Sequence, residues 1–218
     1  MLNIAEKYHK ITVYSNGRPV FSFAFNEMME AELMIYPKMQ NDFYYVTLKG
    51  CQKTRWLADE RVKKRFLNEL VKARDRDAFH VYAFCILDKE AHFLLSIPRG
   101  RNIGPVLTKM SGKLMKSYLS HYPLGKEKAK ADVQHLFPGN RTAILEYCCQ
   151  IHLLAIGCAE KIRDYWWSSY VEYLHKNTTG LTETRVILEA LDAEPRRAIQ
   201  KFVQYHEKYR YRSANAER

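Results

Sequence analysis

With 218 residues, 47% of them hydrophobic, the chain can bury a sizeable core and is expected to hold one domain plus appendages. Its 35 Lys and Arg against 24 Asp and Glu give a formal charge of +11, a balance that points to a polyanion as partner, nucleic acid first. No apolar run approaches the roughly 20 residues that span a bilayer, Met1–Lys7 lacks a secretory core, and the five cysteines show no paired metal spacing, so a cytoplasmic protein in a reducing compartment is expected.

In chain order, residues 10 to 25 alternate around Asn16-Gly17, with Ile11-Thr12-Val13-Tyr14 before it and Val20-Phe21-Ser22-Phe23 after it. Asn-Gly supplies the positive φ angles of a two-residue turn, so a hairpin is predicted there. The pattern then predicts a strand over 43–49, an amphipathic helix over 58–76, strands over 79–87 and 91–97, and a helix over 103–121. A strand over 132–137 ends at Pro138-Gly139, and a helix covers 141–157. That order, β-α-β-β-α-β and a further helix, predicts an α+β fold with a ferredoxin-like antiparallel sheet. From Thr182, read as an N-cap, two amphipathic helices follow, the second after Pro195. The organisation reads as an N-terminal extension over 1–40 carrying the hairpin, a main domain over 41–175 and a helical tail over 176–218, the last ending on Arg210, Arg212 and Arg218.

Basic residues recur in runs: Arg61, Lys63, Lys64 and Arg65; Lys72, Arg74 and Arg76; Arg99 and Arg101; then Lys126, Lys128 and Lys130. Lys109, Lys113 and Lys116 are spaced by four and three, which places them on one helix face. Each run reads either as a phosphate-tracking stripe or as a solvated face. Tyr44 and Tyr45, on a strand with Lys49, are candidates for stacking on bases.

The stretch from Phe79 to Leu95 carries Glu90 and His92 two apart in an apolar run. Strand side chains alternate, so this carboxylate and imidazole face the same way. Such a pair can contribute to a site for Mg²⁺ or Mn²⁺, while spacing alone reads first as an ordinary polar strand face.

These residues resemble a known family. Ala83-Phe84-Cys85-Ile86-Leu87-Asp88-Lys89-Glu90-Ala91-His92-Phe93-Leu94 is similar to the motif strand of single-tyrosine HUH transposases, above all the REP-associated tyrosine transposases. There two metal-binding histidines flank a hydrophobic residue. The resemblance extends to Tyr45-Val46-Thr47-Leu48-Lys49-Gly50, to Trp56-Leu57-Ala58-Asp59-Glu60 with Phe66-Leu67, to Ile151-His152-Leu153, and to Asp164-Tyr165-Trp166-Trp167-Ser168-Ser169-Tyr170, where Trp166 replaces a proline. It covers residues 44 to 173, and the segment from 182 resembles the family's tail. It implies a ferredoxin-like fold, a possible shared-strand homodimer, single-stranded or hairpin DNA as partner, and Mg²⁺ or Mn²⁺ held by Glu90 and His92.

The chain departs from that family twice. Glu90 stands in place of the first histidine, and Ala143, 51 residues after His92, stands where the family has its nucleophilic tyrosine. Tyr147, one helical turn on, is either a packing aromatic or a displaced nucleophile. A turn moves the hydroxyl by about 6 Å, far outside attack geometry for the original position. Three functions follow: a transposase-like protein that binds hairpin or repeat DNA without strand transfer; an active metal-dependent transposase or endonuclease using Tyr147; or an RNA-binding or protein-interaction module. For the first, the expected contact residues are Tyr45, Lys49, Arg99, Arg101, Lys109, Lys113 and Lys116.

Overall fold

The computed structural model describes residues 11–15, 18–23, 41–50, 55–77, 79–123, 129–136, 141–175 and 179–216. Two compact units are distinguished: Met39–Arg210, and a smaller one drawn from Met1–Lys38 and Tyr211–Arg218. In the smaller unit, β1 (Ile11–Ser15) and β2 (Arg18–Phe23) pair antiparallel, with an irregularity between Val13 and Tyr14. The Asn16-Gly17 turn itself lies outside the described residues, as do Lys126, Lys128, Pro138-Gly139 and Arg218.

The larger unit is an α+β fold built on four antiparallel strands. These are β3 (Asn41–Gly50), β4 (His80–Ile86), β5 (Glu90–Pro98) and β6 (Ala129–Leu136), in the order β4-β5-β3-β6. With α1 (Glu60–Asp77) between β3 and β4, and α2 (Gly104–Leu119) between β5 and β6, this is the ferredoxin-like arrangement expected from the pattern. The chain continues through α3 (Arg141–Leu153), a 3-10 turn at Ile162–Asp164, α4 (Tyr170–Leu174), α5 (Arg185–Leu191) and α6 (Pro195–Ala216).

Strand alternation sends side chains to two separate cores. Tyr44, Val46, Leu48, Phe93 and Leu95 pack against Phe66 and Leu70 of α1 and Met110 and Leu114 of α2. Phe43, Leu94 and Cys85 pack on the other face with Ile144, Cys148 and Ile151 of α3, Ile187 of α5 and Phe202 of α6. The tail helices therefore complete the second core within this unit. β4 holds a bulge: Val81 pairs with Leu95 and Ala83 with Leu94, so Tyr82 is the extra residue, and Tyr82 and Ala83 both join the second core.

Several boundaries differ from the sequence reading. The helix expected over 141–157 stops at Leu153, where i to i−3 bonds from Leu154, Ala155 and Ile156 tighten the chain towards Gly157 at φ 93. Strand β6 begins three residues before the expected 132. Thr182 is not an N-cap: it pairs with Val81 along the edge of β4, and Thr184 precedes α5. Among the described residues, no helix is long and apolar enough to cross a membrane.

Candidate nucleic-acid interface

Cross-strand register gathers a polar cluster on the sheet face that carries the second core. His92 of β5 lies opposite Thr47 of β3, which lies opposite Asp132 of β6; one row on, Glu90, Lys49 and Lys130 line up in the same way. Directly opposed residues point to the same face, so three strands contribute to one site. Cys85 of β4 flanks His92 on its other side.

The His92 ring is 7% exposed. Its Nδ1 lies 2.9 Å from the Tyr45 hydroxyl and 3.3 Å from Thr47 Oγ1. Burial, then Cys85 and Glu90, push the Tyr45 phenol up, so it keeps its proton and its hydroxyl can either donate to Nδ1 or accept from it. Nε2 lies 3.1 Å from Glu90 Oε1, within ion-pair distance but poorly aligned, and it has no well-directed hydrogen-bond partner in the protein. The imidazole, and further off the Lys49 ammonium, hold the Glu90 carboxyl below its ordinary value.

Lys49 is ion-paired to Asp132, and Lys130 Nζ lies 3.3 Å from the other oxygen of that carboxylate. This donor set does not fit a resident Mg²⁺ or Mn²⁺. Such ions keep several waters and are anchored by one or two carboxylates free to bind them, whereas here Glu90 has the Lys49 ammonium opposite it and Asp132 is already ion-paired to Lys49 and Lys130. Among the described residues, no group of three His, Cys, Asp or Glu side chains converges on a metal position. Lys49, directly opposite Glu90 and bonded to Asp132, places an ammonium between the two carboxylates.

Tyr147 sits half-buried on α3 against the second core. Burial and the adjacent Glu146 push its phenol up, the opposite of activation for attack. Its neighbour Cys148 contacts the Tyr82 carbonyl, three residues along β4 from Cys85, so about 10 Å of strand separates that level from the row of His92. Ala143 is a further turn towards the start of α3.

The other expected contact residues do not join the cluster. Lys109, Lys113 and Lys116 lie on α2, which covers the opposite face of the sheet, and Lys113 is bound to Glu69 of α1 at 2.6 Å. Lys109 and Lys116 are exposed. Arg99 and Arg101 follow Pro98, at the end of β5 remote from Glu90, about 27 Å along the strand. Arg99 is exposed, with Asp42 at 3.9 Å. Sequence reasoning missed Thr47, Cys85, Lys130 as a site residue, and Asp132. They enter through register, and only the alternation shared by Lys49 and Thr47 on one strand hinted at any of them.

The remaining motif segments meet in the core. The hydroxyl of Ser169 lies 2.8 Å from His152 Nε2, His152 Nδ1 lies 2.9 Å from His206 Nε2, and His206 Nδ1 lies 2.8 Å from the Phe202 carbonyl. The carbonyl can only accept, which makes His206 Nδ1 a donor and fixes each step back to Ser169, whose oxygen accepts the N–H of Phe84 at 2.8 Å. Both rings are neutral in this chain. Burial holds His206 down at about 4 and drives His152 well below its ordinary value.

No protein-family model matches the chain, and no curated protein matches it. Among solved structures it is similar to a REP-associated tyrosine transposase bound to a REP hairpin, at 12% identity and a TM-score of 0.49, over 70% of this chain and 90% of that one. It is also similar to a candidate transposase from Deinococcus radiodurans R1, at 16% identity and a TM-score of 0.39, over 55% and 95% of the two chains. A bacterial tRNA(His) guanylyltransferase-like protein in complex with GTP follows, at 11% identity and a TM-score of 0.35, over 60% and 73%.

Proposed function

We propose that this chain is a transposase-like DNA-binding protein that recognises hairpin or repeat DNA by shape and backbone charge, without strand transfer. One observation carries the reading: the buried Nε2 of His92, lacking a well-directed partner, on the sheet face that also carries Lys49 and Lys130. A buried polar nitrogen left unsatisfied costs about 1–3 kcal/mol, and in the tautomer that carries hydrogen on Nε2 a phosphate oxygen held by the two ammoniums would satisfy it. The formal charge of +11 supports the same class of partner. The absence of strand transfer rests on Ala143 at the family's tyrosine position, on Glu90 in place of histidine, and on the rows that separate Tyr147 from His92. A cytoplasmic location belongs to the same proposal.

The test is a labelled hairpin DNA incubated with the protein in Mn²⁺ or in EDTA and run on native and denaturing gels. The reading expects a native shift in both conditions that weakens with salt, and no species that survives denaturation. An adduct lost in Tyr147→Phe would establish active single-tyrosine chemistry instead. Retention of RNA with indifference to DNA would establish an RNA-binding module.

A further inference from the structure

The cluster around His92 is electrically closed in this structure. Two ammoniums, Lys49 and Lys130, share its sheet face with two carboxylates, Glu90 and Asp132, and Asp132 is ion-paired to both lysines. A polyanion approaching this face meets balanced charges, so one carboxylate has to leave before the face turns positive. Asp132 is held by both ammoniums. Glu90 is the freer of the two: Lys49 lies opposite it across the sheet, and its one short contact among the described residues is the poorly aligned one to His92 Nε2 at 3.1 Å.

The place of that carboxylate matters as much as its charge. His92 Nε2 is closed to solvent, and the Glu90 side chain beside it is 30% exposed, so a carboxylate oxygen already fills the place from which an anion would reach that nitrogen. Carboxylate and phosphate oxygens ask for the same partners, an N–H and a nearby ammonium. Glu90 has both kinds at hand: the imidazole, and further off Lys49, hold its carboxyl below the ordinary value. It can also leave without disturbing the fold. Glu90 is the first residue of β5, with its carbonyl accepting the Leu87 N–H at 2.8 Å. Rotation about its side-chain bonds alone swings the carboxylate outward, while the strand and His92 stay in place.

We propose that Glu90 is an internal anion plug: its carboxylate stands in for a DNA phosphate beside His92 and Lys49, and hairpin DNA binds by displacing it. The inference rests on the function proposed above and adds a regulation of that site, since the free protein is self-inhibited and part of the binding free energy goes to opening it. The test is a double-mutant cycle on hairpin affinity in EDTA, using the full chain as wild type, Glu90→Ala, His92→Ala and the pair, with His92→Gln as a second variant at that position and melting temperatures to confirm folding. Glu90→Ala is expected to tighten binding about tenfold while His92 is present, because it uncovers the nitrogen as well as removing a charge. Glu90→Gln, which leaves an amide in the same place, gains less. In either His92 background, Glu90→Ala is expected to gain no more than about twofold, the effect of charge alone. A gain of equal size with and without His92, or no gain in Glu90→Ala, would overturn this inference and leave the proposed function standing. No hairpin binding by any of these proteins would overturn both.

Discussion

Two histidines from the resembling motifs have opposite fates in the structure. His152 is fully enclosed, and each of its nitrogens has a partner in a chain running from the Phe84 N–H to the Phe202 carbonyl. His92 is nearly as buried, but its Nε2 has only a poorly aligned carboxylate beside it, with Lys49 on the adjacent strand and Lys130 on the strand beyond. A satisfied buried polar group holds a fold together; an unsatisfied one next to solvent-reaching charges marks a place where something else can bind. On the function proposed above, the difference separates scaffold from candidate site.

The largest effect that would break this contrast is on stability. His152→Ala removes a buried ring that contacts α6 and α4 and strands the Ser169 hydroxyl and the His206 ring, so a loss of about 3–5 kcal/mol is expected in urea unfolding. His92→Ala should cost less than that, because only one nitrogen of its ring has well-directed partners to strand. Equal losses would erase the distinction.

The scaffold pair also predicts a pH response. His206 is held down at about 4, below the ordinary histidine value, so the unfolded chain takes up a proton before the folded one does. Stability is therefore complete above the unfolded value of about 6.5 and falls as pH drops towards 4, by roughly 2 kcal/mol between pH 7 and pH 5 from this group alone. His152 is shifted in the same direction and adds to the fall. Unfolding midpoints that stay level from pH 7 to pH 5 would show that the rings are not held neutral.

Smaller effects sharpen the description of the site. Lys49→Ala is expected to weaken hairpin binding about tenfold at low salt, and to free Glu90 and Asp132 so that Mn²⁺ binds more tightly than to wild type, read by calorimetry. Glu90→Gln removes a negative charge from a phosphate-binding face and should tighten hairpin binding two- to fivefold. Weaker binding in Glu90→Gln, seen only with Mn²⁺ present, would instead mean that a metal is held there.

The fold was legible because alternation and helical periodicity are local. The order of strands and helices from Phe43 to Leu153 followed from which residues were apolar at spacings of two or of three to four, and the observed sheet has the arrangement that order implies. Glu90 and His92 could be paired from a two-residue spacing on one strand. Thr47 and Asp132 could not, since their place beside His92 depends on the register of β3 against β5 and β6. The basic stripe of α2 shows the same limit. Spacing places Lys109, Lys113 and Lys116 on one helix face, but only the tertiary fold puts that helix on the side of the sheet away from His92. The end of α3 was misjudged because Ala155 and Ile156 continue an apolar pattern that the tight turn before Gly157 interrupts.

The most direct test of the central claim is the salt dependence of hairpin DNA binding in EDTA, for wild type and for Lys49→Ala/Lys130→Ala. The account predicts a linear fall of log affinity with log salt, and a slope shallower by about 1 in the double variant, for the one phosphate that the two ammoniums hold. An unchanged slope would show that the cluster on this face does not hold the phosphates, and a flat wild-type line would contradict nucleic-acid binding by charge altogether.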